Sequence, residues 1–339
     1  MLTAARNLTV SFVFVLSSFN PFNLRLGAQL DRPGRSSVPG ANGGGPILWQ
    51  DPIDIESRDL FFGPGGAEGA PNPSDRFAFI ERKGSALDTS EKIIVRDDKG
   101  RTWTAKFGPE ARAEVAASRI VWAAGYHVDQ DYFLERAHIE GRGGFEVRDI
   151  RFERNDDGLK KTGQWSWTSN PFAGTRALQG LKVLMALINN WDLSKVNNKI
   201  AHDEANQRTV YYVSDLGASF GRTGSWLNRI PIYKDAAVPG SRGDANAFAD
   251  LEFIKTVTNG EVVFNWQRKF GRDALRGVTV ENARWIGGLL GRLSDKQLSD
   301  AFRAAGFDDH EIATYVSSVR KRIRQLQTLE QTEPVPKAS

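Results

Sequence analysis

Cysteine is absent from the 339 residues, which excludes disulfides, thiolate metal sites, iron–sulfur clusters and a cysteine nucleophile together. Histidine is scarce: His127, His138, His202 and His310 share no metal-ligand spacing, so each reads as ordinary and no histidine cage is expected. An excess of one charge is lacking too. Forty-five Lys and Arg against 41 Asp and Glu leave only +4, too mild and too evenly spread for a nucleic-acid partner. What is there is a folding composition, 40% hydrophobic and 25% charged. Any chemistry must therefore use carboxylates, amides, lysines and hydroxyls.

The one membrane-like stretch stands at the start, where Arg6 precedes the apolar run Leu8–Phe19 and Leu26-Gly27-Ala28 follows it. It is short for a bilayer span and reads as a secretory signal peptide over residues 1–28, implying export to the periplasm or the extracellular space and no transmembrane span once it is removed. An apolar arm packed on the fold is the alternative. Residues 29–75 are rich in Gly, Pro, Ser and Asn and read as linker. Gly63-Pro64-Gly65-Gly66-Ala67-Glu68-Gly69 fits a Gly-x-Gly-x-x-Gly phosphate loop poorly, with Glu68 where the third glycine should stand, and is assigned to that linker.

Alternating segments follow at Phe77–Ile80, Lys92–Val95 and Thr102–Phe107, with the turn Asp97-Asp98-Lys99-Gly100 between the last two. They predict a small antiparallel sheet. From Val115 to Trp122 the spacing becomes helical and stops at Gly125. Further strands are expected at Tyr132–Leu134 and Phe145–Phe152. A long buried helix is expected over Arg176–Asn190, through Leu178, Leu181, Leu184, Met185 and Ile188. The C-terminal part from Val278 reads as helical, with a capping box at Ser294-Asp295-Lys296-Gln297. The expected class is α+β, with a sheet and one helix over residues 76–165, a mainly helical part over 166–330 and a disordered tail at 331–339.

Chemistry concentrates where the long helix ends. Asn190-Trp191-Asp192-Leu193-Ser194-Lys195-Val196-Asn197-Asn198 runs through Ile200 and a polar turn into the strand Thr209–Val213, which delivers Ser214-Asp215-Leu216-Gly217. Upstream, Trp103-Thr104-Ala105-Lys106 ends a strand with one lysine among apolar or small neighbours, just before a helix bearing Glu110 and Glu114.

In order and spacing these residues resemble the protein-kinase-like superfamily. Asp192-Leu193-x-x-x-Asn197 is similar to its catalytic loop, Asp215-Leu216-Gly217 to its metal-binding Asp-Phe-Gly, and Lys106 to its strand lysine. The resemblance implies a two-lobed fold, a smaller sheet lobe with one helix against a larger helical lobe, using ATP and Mg²⁺. Asn197 and Asp215 would supply oxygen ligands to Mg²⁺ and Asp192 would take the acceptor's proton. Lys195 would offset charge on the transferring phosphate, and Lys106 would grip the nucleotide, paired with Glu114 or, as the competitor, Glu110. No His-Arg precedes Asp192 and no Ala-Pro-Glu follows Asp215. The chain thus looks more like the atypical branch, with its HipA-type, CotH-type, lipid and secretory-pathway kinases. The acceptor, whether protein, lipid or sugar, stays open, as does transfer of adenylate instead of phosphate.

Two other classes compete. One is a non-catalytic kinase-like module that binds a nucleotide or partner. The other is an exported carbohydrate-binding or envelope protein using Trp165, Trp167, Trp191 and Trp226, although core packing accounts for these aromatics more simply. Residues 218–245, Gly-rich and basic, read as a substrate loop offering Arg222 or Lys234, or as plain surface. The basic run Arg320-Lys321-Arg322-Arg324 reads as a solvated helix face.

Overall fold

Leu48, Ile55 and Leu60 are apolar side chains in a Gly/Pro-rich stretch, and all three are buried in the main core. The computed structural model describes residues 45–83, 91–141, 143–155, 157–222, 240–266 and 271–330. Residues 45–75 are therefore not linker. Within them Gly63–Gly65 forms a 3-10 turn that continues into a single helical turn, α1 (Gly66–Gly69). The Arg101 guanidinium donates to the carbonyls of Glu68, Gly69 and Ala70 and fastens this turn. Composition concealed this because three apolar anchors and one distant arginine suffice to hold a glycine-rich segment. The expected signal peptide 1–28, linker residues 29–44 and the tail 331–339 lie outside the described residues.

Strands β1 (Phe77–Lys83), β2 (Lys92–Arg96), β3 (Thr102–Phe107), β4 (Asp131–Glu140) and β5 (Phe145–Arg154) turn alternate side chains inward. Ile93, Val95, Trp103, Ala105, Ile150 and Phe152 share that interior. In the turn between β2 and β3, Asp97 accepts the amides of Lys99 and Arg101. The order is β1-β2-β3-β5-β4, and Phe77 and Ala78 of β1 pair in parallel with Ile139 and Glu140 of β4. The expected small antiparallel sheet is thus a closed five-stranded barrel with one parallel pairing. Closure is possible because β4 runs past its expected end at Leu134 to Glu140, where it meets the start of β1, and it removes the free edges an open sheet would leave.

Helix α2 (Glu110–Ala123) packs outside the barrel on β4 and β5. Its Val115, Ala116, Ile120 and Val121 belong to a second, larger core shared with α3 (Arg176–Leu187). Thr175 caps α3 by accepting the amide of Leu178. Strands β6 (Leu159–Gln164), β7 (Asn198–Asp203) and β8 (Arg208–Val213) form a three-stranded antiparallel sheet. Beyond it come α4 (Ala245–Ala249), the hairpin β9 (Ile254–Thr258) and β10 (Glu261–Phe264), α5 (Val280–Gly291), α6 (Asp295–Arg303) and α7 (Asp309–Gln327). The part expected to be mainly helical therefore carries the four strands β7 to β10 as well, and β6, from the part before it, pairs with β7. Among the described residues no helix is long and apolar enough to cross a membrane.

The basic run on α7 is not a uniform solvated face. Arg322 is 4% exposed, and its guanidinium donates to the carbonyls of Leu187 at 2.7 Å and Phe248 at 3.0 Å. It also lies 3.7 Å from the Phe248 ring centroid. Helical spacing puts Arg322 on the side of Val319, Ile323 and Leu326, where the C-terminal ends of α3 and α4 present the carbonyls of Leu187 and Phe248. Burial, with no ion pair among the described residues, brings the guanidinium pKa down to about 9.

Candidate functional site

In β3 the side chains of Trp103 and Ala105 enter the barrel, so Lys106 points outward, toward α2. It is 1% exposed and its Nζ meets three carboxylates: Glu110 Oε2 at 2.7 Å, Glu114 Oε2 at 3.0 Å and Asp215 Oδ1 at 2.9 Å. Glu110 and Glu114 stand one turn apart on the same face of α2. The lysine therefore takes both glutamates between which the sequence offered a choice. Arg151, opposite Lys106 on β5, lies 3.4 Å from Glu114 and also pairs with Asp131 and Glu153. Arg242, later in the segment after Asp215, donates to Glu110.

The electrostatics follow from this crowding. Burial alone would lower the Lys106 pKa, but Glu114, Asp215 and Glu110 outweigh it and hold the ammonium well above its ordinary value. Burial would raise Asp215, yet Lys106 keeps its carboxyl well below the usual range. Glu110 is likewise lowered, since Lys106 and Arg242 overcome its burial. Glu114 is raised, chiefly by burial, with Asp215 and Glu110 adding to the push against Arg151 and Lys106. Asp215 is 37% exposed against 8% for Glu110 and 2% for Glu114. It is the carboxylate of the three that a ligand can reach.

The loop after α3 is tied to the Asp215 loop by main-chain bonds: Trp191 N to Ala218 O at 3.1 Å, Ser214 N to Asn197 O at 2.8 Å, and Phe220 N to Ile188 O at 2.9 Å. Within it, Asn190 Oδ1 accepts the Asp192 amide and Asn197 Nδ2 donates to the Asp192 carbonyl, both at 3.1 Å. Asp192 is half-buried and Asn197 buried, whereas Lys195 is exposed on a 3-10 turn and its ammonium makes no hydrogen bond or ion pair among the described residues. Asp215 has a φ of 47°, in the left-handed region that aspartate tolerates better than most residues. Gly217 is required by packing, because a Cβ there would come 2.7 Å from Cβ of Glu110.

No family model and no curated protein matches the sequence. Among solved structures the chain is similar to the proinflammatory kinase CtkA of Helicobacter pylori, at 10% identity over 73% of this chain and 90% of that one, with a TM-score of 0.40. It is also similar to the Rio2 kinase of Chaetomium thermophilum, solved as an ADP/Mg²⁺-phosphoaspartate complex, at 15% identity over 73% and 72% of the two chains, with a TM-score of 0.30. With identities this low, function has to be read from the side chains themselves.

Of the residues singled out in the sequence, Lys106, Glu114 and Asp215 are in contact. Asp192 and Asn197 share a loop fastened beside Asp215, and Lys195 stands apart in solvent. Three residues were missed. Arg151 sits between Ile150 and Phe152, an alternation that marked it as facing away from the barrel interior. Asp129, 3% exposed, receives hydrogen bonds from Ser214 Oγ and Tyr212 OH and so steadies the chain just ahead of Asp215. Nothing local in the sequence pointed to it, or to Arg242. Trp165, Trp167 and Trp191 are buried and offer no open stacking face, while Trp226 and Lys234 lie outside the described residues.

Proposed function

We propose that this chain is an ATP- and Mg²⁺-dependent phosphotransferase of atypical kinase type, with residues 76–165 as the smaller lobe and 166–330 as the larger. The observation that carries the reading is the meeting of Lys106, from β3, with Glu114 on α2 and Asp215 after β8. Two consecutive elements and a loop 109 residues after Lys106 converge to set one ammonium beside one reachable carboxylate. Phosphoryl transfer asks for a fixed cation against the phosphates and hard oxygen ligands for a divalent metal.

The donors fit Mg²⁺, which prefers a few carboxylate and carbonyl oxygens. Asp215 offers a carboxylate that is charged across the physiological range. With Nδ2 committed to the Asp192 carbonyl, Asn197 has its amide oxygen to offer. Bound there, the metal would neutralise charge on the phosphates. Asp192 orients the acceptor hydroxyl and takes its proton, and Lys106 holds the nucleotide phosphates. Lys195, exposed and without a partner among the described residues, is free to approach the transferring group.

Purified protein with ATP and MgCl₂ tests this directly, by nucleotide-dependent thermal shift and ADP release with candidate protein, lipid and sugar acceptors. Asp192→Ala should abolish turnover while sparing binding, and Asp215→Ala should abolish both Mg²⁺-dependent binding and turnover. Nucleotide binding that ignores Mg²⁺ and survives both changes would instead identify a non-catalytic kinase-like module. Glycan binding that survives loss of Lys106, Asp192 and Asp215 would point to the carbohydrate-binding class.

A further inference from the structure

The barrel register lines up four cations. Lys83 of β1 pairs with Lys92 of β2, Lys92 with Lys106 of β3, and Lys106 with Arg151 of β5. Residues directly opposite on neighbouring strands share a sheet face, and like charges placed so repel one another. The repulsion at Arg151 and Lys106 is offset by Glu110, Glu114, Asp131 and Glu153. At Lys92 it is not. Lys92 is only partly buried and has no ion-pair partner among the described residues. Lys83 is exposed at the end of the row. Asp215 lies within the field of this strip: against the upward push of burial, Lys106 and then Lys92 hold its carboxyl below the ordinary range.

Lys106 by itself is a poor grip for a polyphosphate. It is 1% exposed, and three carboxylates already occupy its ammonium. Strands lie about 4.8 Å apart in a sheet, so the row carries positive charge from Lys106 out to Lys92 and Lys83 over roughly 10 Å. That is the scale of a chain of phosphates. We propose that Lys92 is a second polyphosphate-binding side chain, taking the solvent-facing phosphates of the nucleotide while Lys106, fixed by its acids, anchors the inner end of the strip. This rests on the nucleotide reading above and adds to it a residue with no place in the sequence motifs.

Calorimetric titration of the full chain with ATP, AMP and inorganic tripolyphosphate, with and without MgCl₂, tests it. Lys92→Ala should weaken ATP and tripolyphosphate about tenfold or more and leave AMP within about twofold, because the lost contact is a charge-assisted one to the outer phosphates. Lys92→Arg should restore most of the affinity. Lys99→Ala, in the turn at the other end of β2, should change nothing. Wild-type affinity for ATP and tripolyphosphate in Lys92→Ala overturns the proposal while leaving the nucleotide reading intact. A wild-type chain that binds tripolyphosphate through Lys92 but not ATP keeps the cation strip and overturns the nucleotide reading. One that binds neither overturns both.

Discussion

Replacing Lys106 with methionine isolates the electrostatics of the site, because the aliphatic stem is retained and only the ammonium is lost. Three carboxylates at 2.7, 3.0 and 2.9 Å lose their shared cation. Glu110 keeps Arg242, and Glu114 keeps Arg151 at 3.4 Å. Asp215 is 37% exposed and is screened by water, so its share is discounted. Removing one partner from a buried ion pair costs about 3–5 kcal/mol, and the remaining arginines argue for the lower end, about 3 kcal/mol at pH 7.5. The pH dependence is the sharper signature. Folded-state lowering of Glu110 and Asp215 stabilises the wild type fully above their ordinary values of 4.5 and 3.8, and this is lost as pH falls through the folded values. Lys106→Met never has that contribution, so the deficit should persist to about pH 4.5 and shrink to about 1 kcal/mol near pH 3. Urea unfolding followed by tryptophan fluorescence at pH 7.5 and near pH 3 measures it. Lys106→Met/Asp215→Asn should recover about 1 kcal/mol of the pH 7.5 loss, since the two residues are coupled. A deficit equal at the two pH values would mean that packing, not charge, is what Lys106 provides, and the electrostatic account would fail.

Two further outcomes are expected. Gly217→Ala should push the first turn of α2 away from the Asp215 loop and cost about 1–3 kcal/mol in the same unfolding assay, in line with overpacking elsewhere. An unchanged midpoint would show that the loop absorbs a methyl group without moving Glu110. Arg322→Met should cost about 2 kcal/mol through the lost charge-assisted bonds to the carbonyls of Leu187 and Phe248, and Arg322→Lys should restore little because an ammonium cannot fork to both. Equal stability of wild type and Arg322→Met would mean that burying this charge costs as much as its hydrogen bonds return.

Periodicity made most elements legible. The alternation at Lys92–Arg96 and Thr102–Phe107, and the apolar spacing of α3, are local statements that the chain repeats in three dimensions. The capping box at Ser294 and Gln297 formed as expected, and a second at Asp308 and Glu311 follows the same chemistry. Barrel closure was not legible, because the parallel contact between Phe77 and Ile139 joins strands with two others and a helix between them and has no turn to announce it. Nor was the fate of residues 45–75, where composition argued for linker while three apolar side chains and the Arg101 guanidinium decided otherwise.

At the site, local pattern could present residues but not their pairing. Glu110 and Glu114 share a helix face, and the sequence offered both to Lys106 with Glu114 preferred and Glu110 as the competitor. The fold takes both because Arg242 pairs with Glu110 and Arg151 with Glu114 to balance them. Three carboxylates on one buried lysine would be untenable without those two arginines, given what an uncompensated buried charge costs. The convergence thus depends on cations 45 and 136 positions after Lys106, which no short motif contains. The same holds for Lys92, whose meaning comes only from standing opposite Lys106 in the register. Residue spacing within a loop can identify a site of this kind, and strand register then determines which cations complete it.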